Sequence, residues 1–140
     1  MKKNKLAGKN VLITAGATKE PLDAVRFITN NANAGVGYKL AEACLAEGAT
    51  VFLVSGPQVV HLKHPNLKTV MVNTASEMYL ACCRFFEEAD VVLYAASVSE
   101  YRPKEVLPYK MTNQADFITV KMVRNIDIAA AFSMVKRPDQ

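Results

Sequence analysis

The chain has 140 residues with 17 Lys and Arg against 13 Asp and Glu, a formal charge of +4. Its 51% hydrophobic and 21% charged residues are the balance of a folded protein and exclude a disordered one. No run approaches the ~18 apolar residues of a membrane span and no leader-like segment opens the sequence, so a cytoplasmic protein without a membrane partner is expected. Lys2, Lys3, Lys5 and Lys9 hold the positive excess. A basic tail over residues 1–8 therefore precedes a nearly neutral single domain over residues 9–140, and no nucleic-acid partner is expected.

Apolar runs alternate with helical patterns, which is the signature of a parallel sheet covered by helices. Val11-Leu12-Ile13-Thr14 is the first predicted strand, closed by Ala15-Gly16-Ala17. Pro21 and the run Val25-Arg26-Phe27-Ile28, which reads as a stretch built for burial, delay the first helix to residues 36–47. There Leu40, Ala41, Cys44 and Leu45 share one face, and Gly48 suits a left-handed cap. Val51-Phe52-Leu53-Val54, ended by Ser55-Gly56-Pro57, is the second strand and residues 68–72 the third. Thr74-Ala75-Ser76-Glu77 has the form of a capping box and opens a helix through Met78, Cys82, Phe85 and Phe86. Asp90 precedes a fourth strand, Val91-Val92-Leu93-Tyr94. Residues 95–109 read as a long loop, 117–120 as a further strand and 126–135 as a last helix. The predicted fold is α/β, a Rossmann-like, mostly parallel sheet flanked by helices.

Cys44, Cys82 and Cys83 are odd in number and two are adjacent, so they build neither a disulfide framework nor a CxxC knuckle. They are expected as small core residues in a reducing compartment. His61 and His64 have the spacing of a metal pair, but Pro65-Asn66 put them in a turn with no third ligand, and no metal site is expected.

In open parallel sheets, ligands bind beyond the carboxyl ends of the strands. That assembles a candidate site from Gly16-Ala17-Thr18, Ser55-Gly56 and the loop after Tyr94. Gly16 is not followed by GxGxxG spacing. Gly35-Val36-Gly37, leading into a helix, can hold an anion on free N–H groups or simply make a turn, and the pattern leaves both open. Arg26 and Asn30 are groups that recognise carboxylate, phosphate or carbonyl oxygens, and they serve equally as structural hydrogen-bonders. Lys110, after Pro108-Tyr109, has a solvated surface lysine as its alternative.

The segments VLITAGATKEPLDAVRFITN, LVSGP, AASVSEYRPKEV and VRNIDI, in this order and spacing, resemble the phosphopantothenoylcysteine synthetase domain of the bifunctional coenzyme A biosynthesis flavoprotein. The resemblance runs from about Gly8 to the end; no flavin-binding decarboxylase domain and no flavin are expected. It implies a ligase that joins 4'-phosphopantothenate and cysteine using CTP or ATP. The carboxylate attacks the α-phosphate, pyrophosphate leaves, and the cysteine amine displaces the nucleotide, so that one hard step becomes two easier ones. By motif, Asn30 matches the asparagine that turns over the acyl intermediate and Arg26 a substrate contact. Ala95, Ala96, Ser97 and Glu100 match the AAAVAD nucleotide segment, with Glu100 in place of aspartate. Gly16 and Ala17 join them from the first loop. Lys110 matches the first lysine of KIKK, and Asn125, Asp127 and Ile128 match the NPDI turn. Magnesium arrives with the triphosphate, and a homodimer is implied.

The sequence also departs from the pattern. Where the family has SSGKMG, Ala32-Asn33-Ala34-Gly35-Val36-Gly37 has lost both hydroxyls and the lysine, leaving Gly35 and Gly37 as backbone contacts to substrate. KIKK has become Lys110-Met111-Thr112-Asn113, Ile126 replaces the proline of NPDI, and the family's C-terminal part is expected to be missing. A noncatalytic nucleotide-binding or assembly module derived from the family is therefore an alternative reading. An NAD-dependent Rossmann reductase is a second, although the second strand ends in Ser55-Gly56-Pro57 rather than an acidic residue.

Overall fold

The structure, a computed structural model, describes residues 4–58, 61–112 and 115–140. Lys2, Lys3 and Asn113, named above, lie outside the described residues. In chain order the elements are β1 (Asn10–Ala15), β2 (Lys19–Pro21), β3 (Phe27–Thr29), α1 (Gly35–Ala46), β4 (Thr50–Ser55), β5 (Leu67–Met71), α2 (Ala75–Phe86), β6 (Val91–Tyr94), β7 (Tyr101–Pro103), β8 (Met122–Arg124) and α3 (Ile128–Ser133). Four of them form a parallel sheet in the order β5-β4-β1-β6. β1 is central, with Val11 opposite both Val51 and Val91.

The sheet separates two cores because side chains alternate along a strand. Val11, Ile13, Ala15, Val51 and Leu53 face Tyr38, Ala41 and Leu45 of α1. Leu12, Phe52 and Val54 face Met78, Cys82, Phe85 and Phe86 of α2 together with Ile128 and Phe132 of α3. Phe52 stacks on Phe85 at 4.6 Å and Phe86 on Phe132 at 4.3 Å between ring centroids. Such pairs add about 0.5–1.5 kcal/mol each beyond the area they bury. Leu6 joins the α1 side, and its N–H donates to the Glu47 carbonyl at 3.0 Å.

Helix ends follow the sequence signals. Thr74 Oγ1 accepts from Glu77 N at 3.1 Å while Glu77 Oε2 accepts from Thr74 N, completing the capping box of α2. Gly48 takes φ +87° just beyond α1, a conformation that costs glycine little.

Several expectations are corrected. Residues 117–120 form no strand; pairing starts five residues later at β8, whose antiparallel partner β7 lies inside the stretch read as loop. The last helix is confined to α3, because Asp127 caps its start. Val25, Phe27 and Ile28 are exposed rather than buried, since they belong to the β2–β3 hairpin that stands apart from the main sheet. Of the cysteines only Cys82 is fully buried, which pushes its thiol up to about 12; Cys44 is half-buried and Cys83 exposed. His64 Nδ1 accepts from Asn66 N within the turn at 3.1 Å.

Candidate active site

From β1 the chain moves outward to β4 and β5, then returns through α2 to place β6 on the other side of β1. The loops leaving β1 and β6 run side by side beyond the carboxyl end of the sheet, and a crevice opens beside them at this switch point. A cavity of about 380 Å³ occupies it. Thr14 and Tyr94 line it from the strand ends, Ala96, Val98, Ser99 and Glu100 from the loop after β6, and residues 124–129 from the far side.

The loop after β6 is held as a continuation of the sheet. Ala95 N donates to Thr14 O, Ser97 N to Gly16 O at 2.7 Å, and Thr18 N back to Ser97 O. Ala96 N reaches Thr14 Oγ1 and Ser99 N reaches Thr18 Oγ1 at 2.9 Å. Gly16 turns the first loop at φ +75°, which a side chain would resist. Asn125 locks the opposite wall: its N–H donates to Glu100 O, its Nδ2 to Ser99 O at 2.8 Å, and its Oδ1 accepts from Arg102 Nη1 at 2.9 Å. Asp127 Oδ1 accepts from Ala130 N as the cap of α3, and Ile128 is buried in the core while edging the cavity.

The nucleotide set named from sequence thus divides in two. Ala96, Glu100, Asn125, Asp127 and Ile128 line the cavity, whereas Gly16, Ala17, Ala95 and Ser97 form the backbone rail beside it. Glu100 and Arg124, both exposed, set one negative and one positive group at its edge.

Asn30, Arg26, Gly35, Gly37 and Lys110 do not line this cavity. Asn30 Nδ2 donates to Ser97 Oγ at 2.9 Å and, more weakly, to Val98 O at 3.4 Å. Arg26 Nη1 pairs with Asp23 Oδ2 at 2.9 Å and donates to Met111 O at 3.1 Å. Lys110, exposed, is carried on the segment that this pair holds. Hydrogen bonds from the N–H groups of Met111 and Arg26 keep the Asp23 carboxyl down at about 2. Gly37 is spent on packing, because a Cβ there would strike Ala15 of β1; Gly35 opens α1 with its N–H on Asn33 Oδ1. Ser55 and Gly56, also placed at the site from sequence, are consumed structurally. Ser55 Oγ accepts from Tyr38 Oη at 2.8 Å, and Gly56 packs on the Ala17 carbonyl.

Sequence alone assigns no role to Ser99 or Arg124. Ser99 is buried, and its Oγ has no hydrogen-bond partner among the described residues. Its signal was its place in the motif SVSE, one residue before Glu100. Arg124 was marked only by its place in the segment VRNIDI, one residue before Asn125.

Residues 6–140 match the family described as the DNA/pantothenate metabolism flavoprotein C-terminal domain. The chain belongs to this family. Members of it stand among its relatives: the coenzyme A biosynthesis bifunctional protein CoaBC of Vibrio vulnificus strain YJ016 is 42% identical over 131 residues, 91% of this chain and 32% of that protein. CoaBC of Escherichia coli strain K12 is 40% identical over 136 residues, 95% of this chain and 33% of that protein. The chain thus spans about a third of the length of these curated relatives. The crystal structure of the C-terminal domain of CoaBC superposes with a TM-score of 0.83 at 36% identity, covering 98% of this chain and 63% of that one. A Cab2 mutant in complex with phosphopantothenate-cysteine shares the fold alone, with a TM-score of 0.64 at 19% identity over 89% of this chain and 58% of that one. Membership in this flavoprotein-domain family, together with a first loop that runs along Ser97 instead of into a helix, leaves the reductase reading without support.

Proposed function

We propose that the chain is the catalytic core of a phosphopantothenate–cysteine ligase. The observation that carries this reading is the convergence of Ala96, Glu100, Asn125, Asp127 and Ile128 on one cavity at the β1/β6 switch point. A nucleoside triphosphate, CTP or ATP, binds there, with magnesium entering as part of that substrate and held mainly by phosphate oxygens and water. The 4'-phosphopantothenate carboxylate attacks the α-phosphorus and pyrophosphate departs. The cysteine amine then attacks the acyl carbon, and the nucleoside monophosphate leaves with the bonding electrons. Lys110 balances charge on the phosphates, and the Asn30 amide donates to oxygen at the acyl centre as it gains charge. Arg26 and Gly35 border the acid substrate, while Gly16, Ala17, Ala95 and Ser97 supply the rail against which the nucleotide lies. The protein acts in the cytoplasm as a homodimer, a reading supported by exposed Val25, Phe27 and Ile28 on the hairpin.

A second reading, a noncatalytic nucleotide-binding or assembly module, is favoured by one observation: the Asn30 amide hydrogens are directed to Ser97 and Val98. Pyrophosphate release with 4'-phosphopantothenate, magnesium and either CTP or ATP tests both, beside an Asn30→Ala control. Release that requires the acid and one nucleotide, followed by product on adding cysteine, supports the ligase. Saturable nucleotide binding without release by the folded protein supports the module instead.

A further inference from the structure

Asp23 sits at the turn between β2 and β3 with its side chain completely buried. A buried carboxylate has to be matched by donors, and its two oxygens divide them by distance in sequence. Oδ1 accepts from Val25 N at 2.8 Å and Arg26 N at 2.6 Å, closing the turn. Oδ2 accepts from Arg26 Nη1 at 2.9 Å and, across 88 residues, from the backbone N–H of Met111 at 3.0 Å. The same Arg26 Nη1 donates to Met111 O at 3.1 Å. The N–H and the carbonyl of Met111 are thus both engaged by one ion pair, as a neighbouring strand would engage them. Leu107 N adds a bond to Leu22 O at 3.3 Å. Closing a turn needs only the local oxygen, so Oδ2 is left for the distant segment.

We propose that Asp23 is a positioning residue, whose Oδ2 together with Arg26 fixes the backbone at Met111 and thereby sets where the adjacent Lys110 ammonium is delivered. The inference rests on the ligase reading in taking Lys110 as the lysine that meets the nucleotide phosphates. A lysine carries its charge on a flexible four-carbon stem, so its useful reach is set by how firmly its backbone is held. A loose segment has to be ordered when ligand arrives, and that entropy is lost from affinity. Besides its place at the acid substrate, Arg26 thus holds the lysine-bearing segment through Met111 O.

Asp23→Asn tests this, because an amide retains one oxygen for the turn and turns an NH2 toward Arg26 and Met111, which are donors. Hydrogen exchange on the full chain without ligand is the first readout. Faster exchange at the Met111 amide by about tenfold, a loss of local protection, with β1 and β4 amides unchanged, is expected. Unchanged exchange overturns the proposal. Should β1 and β4 loosen as well, Arg26→Lys is read the same way, since the turn bonds use the Arg26 backbone. Calorimetric titration with magnesium-CTP and magnesium-ATP is the second readout. Asp23→Asn and Lys110→Ala are each expected to weaken binding about tenfold, and the double variant no more than Lys110→Ala alone. Additive weakening, or full affinity in Lys110→Ala, overturns the delivery of Lys110. A wild-type chain that binds neither triphosphate overturns the ligase reading and the delivery with it. That outcome is told apart from failure of the latch because exchange at Met111 is read without ligand.

Discussion

Asn30 donates its side-chain amide to the hydroxyl of Ser97 at 2.9 Å, so the residue named for acyl turnover rests against the loop named for the nucleotide. Ser97 is itself pinned, its N–H on Gly16 O and its carbonyl accepting from Thr18 N. Asn30 is therefore aimed by a fixed point.

Unequal effects of the two partners follow from this. Asn30→Ala is expected to lower steady-state pyrophosphate release in the presence of cysteine about 100-fold, because turnover of the acyl intermediate then limits it, the scale being that of losing one donor to a developing oxyanion. Ser97→Ala removes only an exposed neutral hydrogen bond and is expected to cost about 0.5–1 kcal/mol of stability, with release changed several-fold at most. Steady-state pyrophosphate assays and urea denaturation of both variants measure the contrast.

The glycines that open α1 differ in kind. At Gly37 an added Cβ meets Ala15 of the central strand, with the Thr14 carbonyl 3.2 Å away. Gly37→Ala is thus expected to cost about 1–3 kcal/mol, as overpacking does. At Gly35 the nearest atom is Asn33 Oδ1 at 3.1 Å, the end of a movable side chain, and Gly35→Ala is expected to stay within about 1 kcal/mol of the parent, alanine being the better helix former. Chemical denaturation decides, and equal losses in the two would contradict the packing account.

Ser99 Oγ is buried without a partner among the described residues. Ser99→Ala removes an unpaired polar atom and keeps the backbone bonds to Thr18 and Asn125. The variant is expected to be as stable as the parent or up to about 1 kcal/mol more so, since the desolvation cost disappears. A fall in melting temperature would reveal a partner that the structure does not show.

The latch at Asp23 has a pH signature. Hydrogen bonds from Met111 N–H, Arg26 N–H and Val25 N–H, with the Arg26 charge, lower its carboxyl from 3.8 to about 2. The folded form therefore binds this proton less readily than the unfolded chain. Its stabilising contribution is complete above the unfolded value and is lost as pH falls through about 2. A carboxyl NMR titration should show the low midpoint, and the acid dependence of stability between pH 4 and 2 should be shallower in Asp23→Asn.

The four parallel strands and two long helices were legible because each carries an uncompromised period: Val11 and Ile13 to one face with Leu12 to the other, and Met78, Cys82, Phe85 and Phe86 along one stripe. The hairpin was not. Val25, Phe27 and Ile28 are as apolar as any core run, and only the missing partner surface, a tertiary fact, leaves them exposed. β8 was mistaken for residues 117–120 because Phe117, Ile118 and Val120 have strand propensity without a strand to pair with, whereas Met122, Val123 and Arg124 face Pro103, Arg102 and Tyr101. Of the nine residues that motif matching named for the nucleotide, five line the cavity and four lie on the rail beside it. The glycines of the opening helix were ambiguous in sequence, since the close contact with Ala15 that gives Gly37 its packing role lies across the fold.

The hairpin bearing Arg26 and Asn30 is also tied behind the site. Lys19 N donates to Asn73 O at 2.7 Å, and the buried Glu20 accepts from Ala75 N at 2.8 Å, in the first turn of α2. This ties the strand that leads into the hairpin to the helix that supports the sheet. Through these bonds the strand and the helix make one continuous wall behind the candidate site.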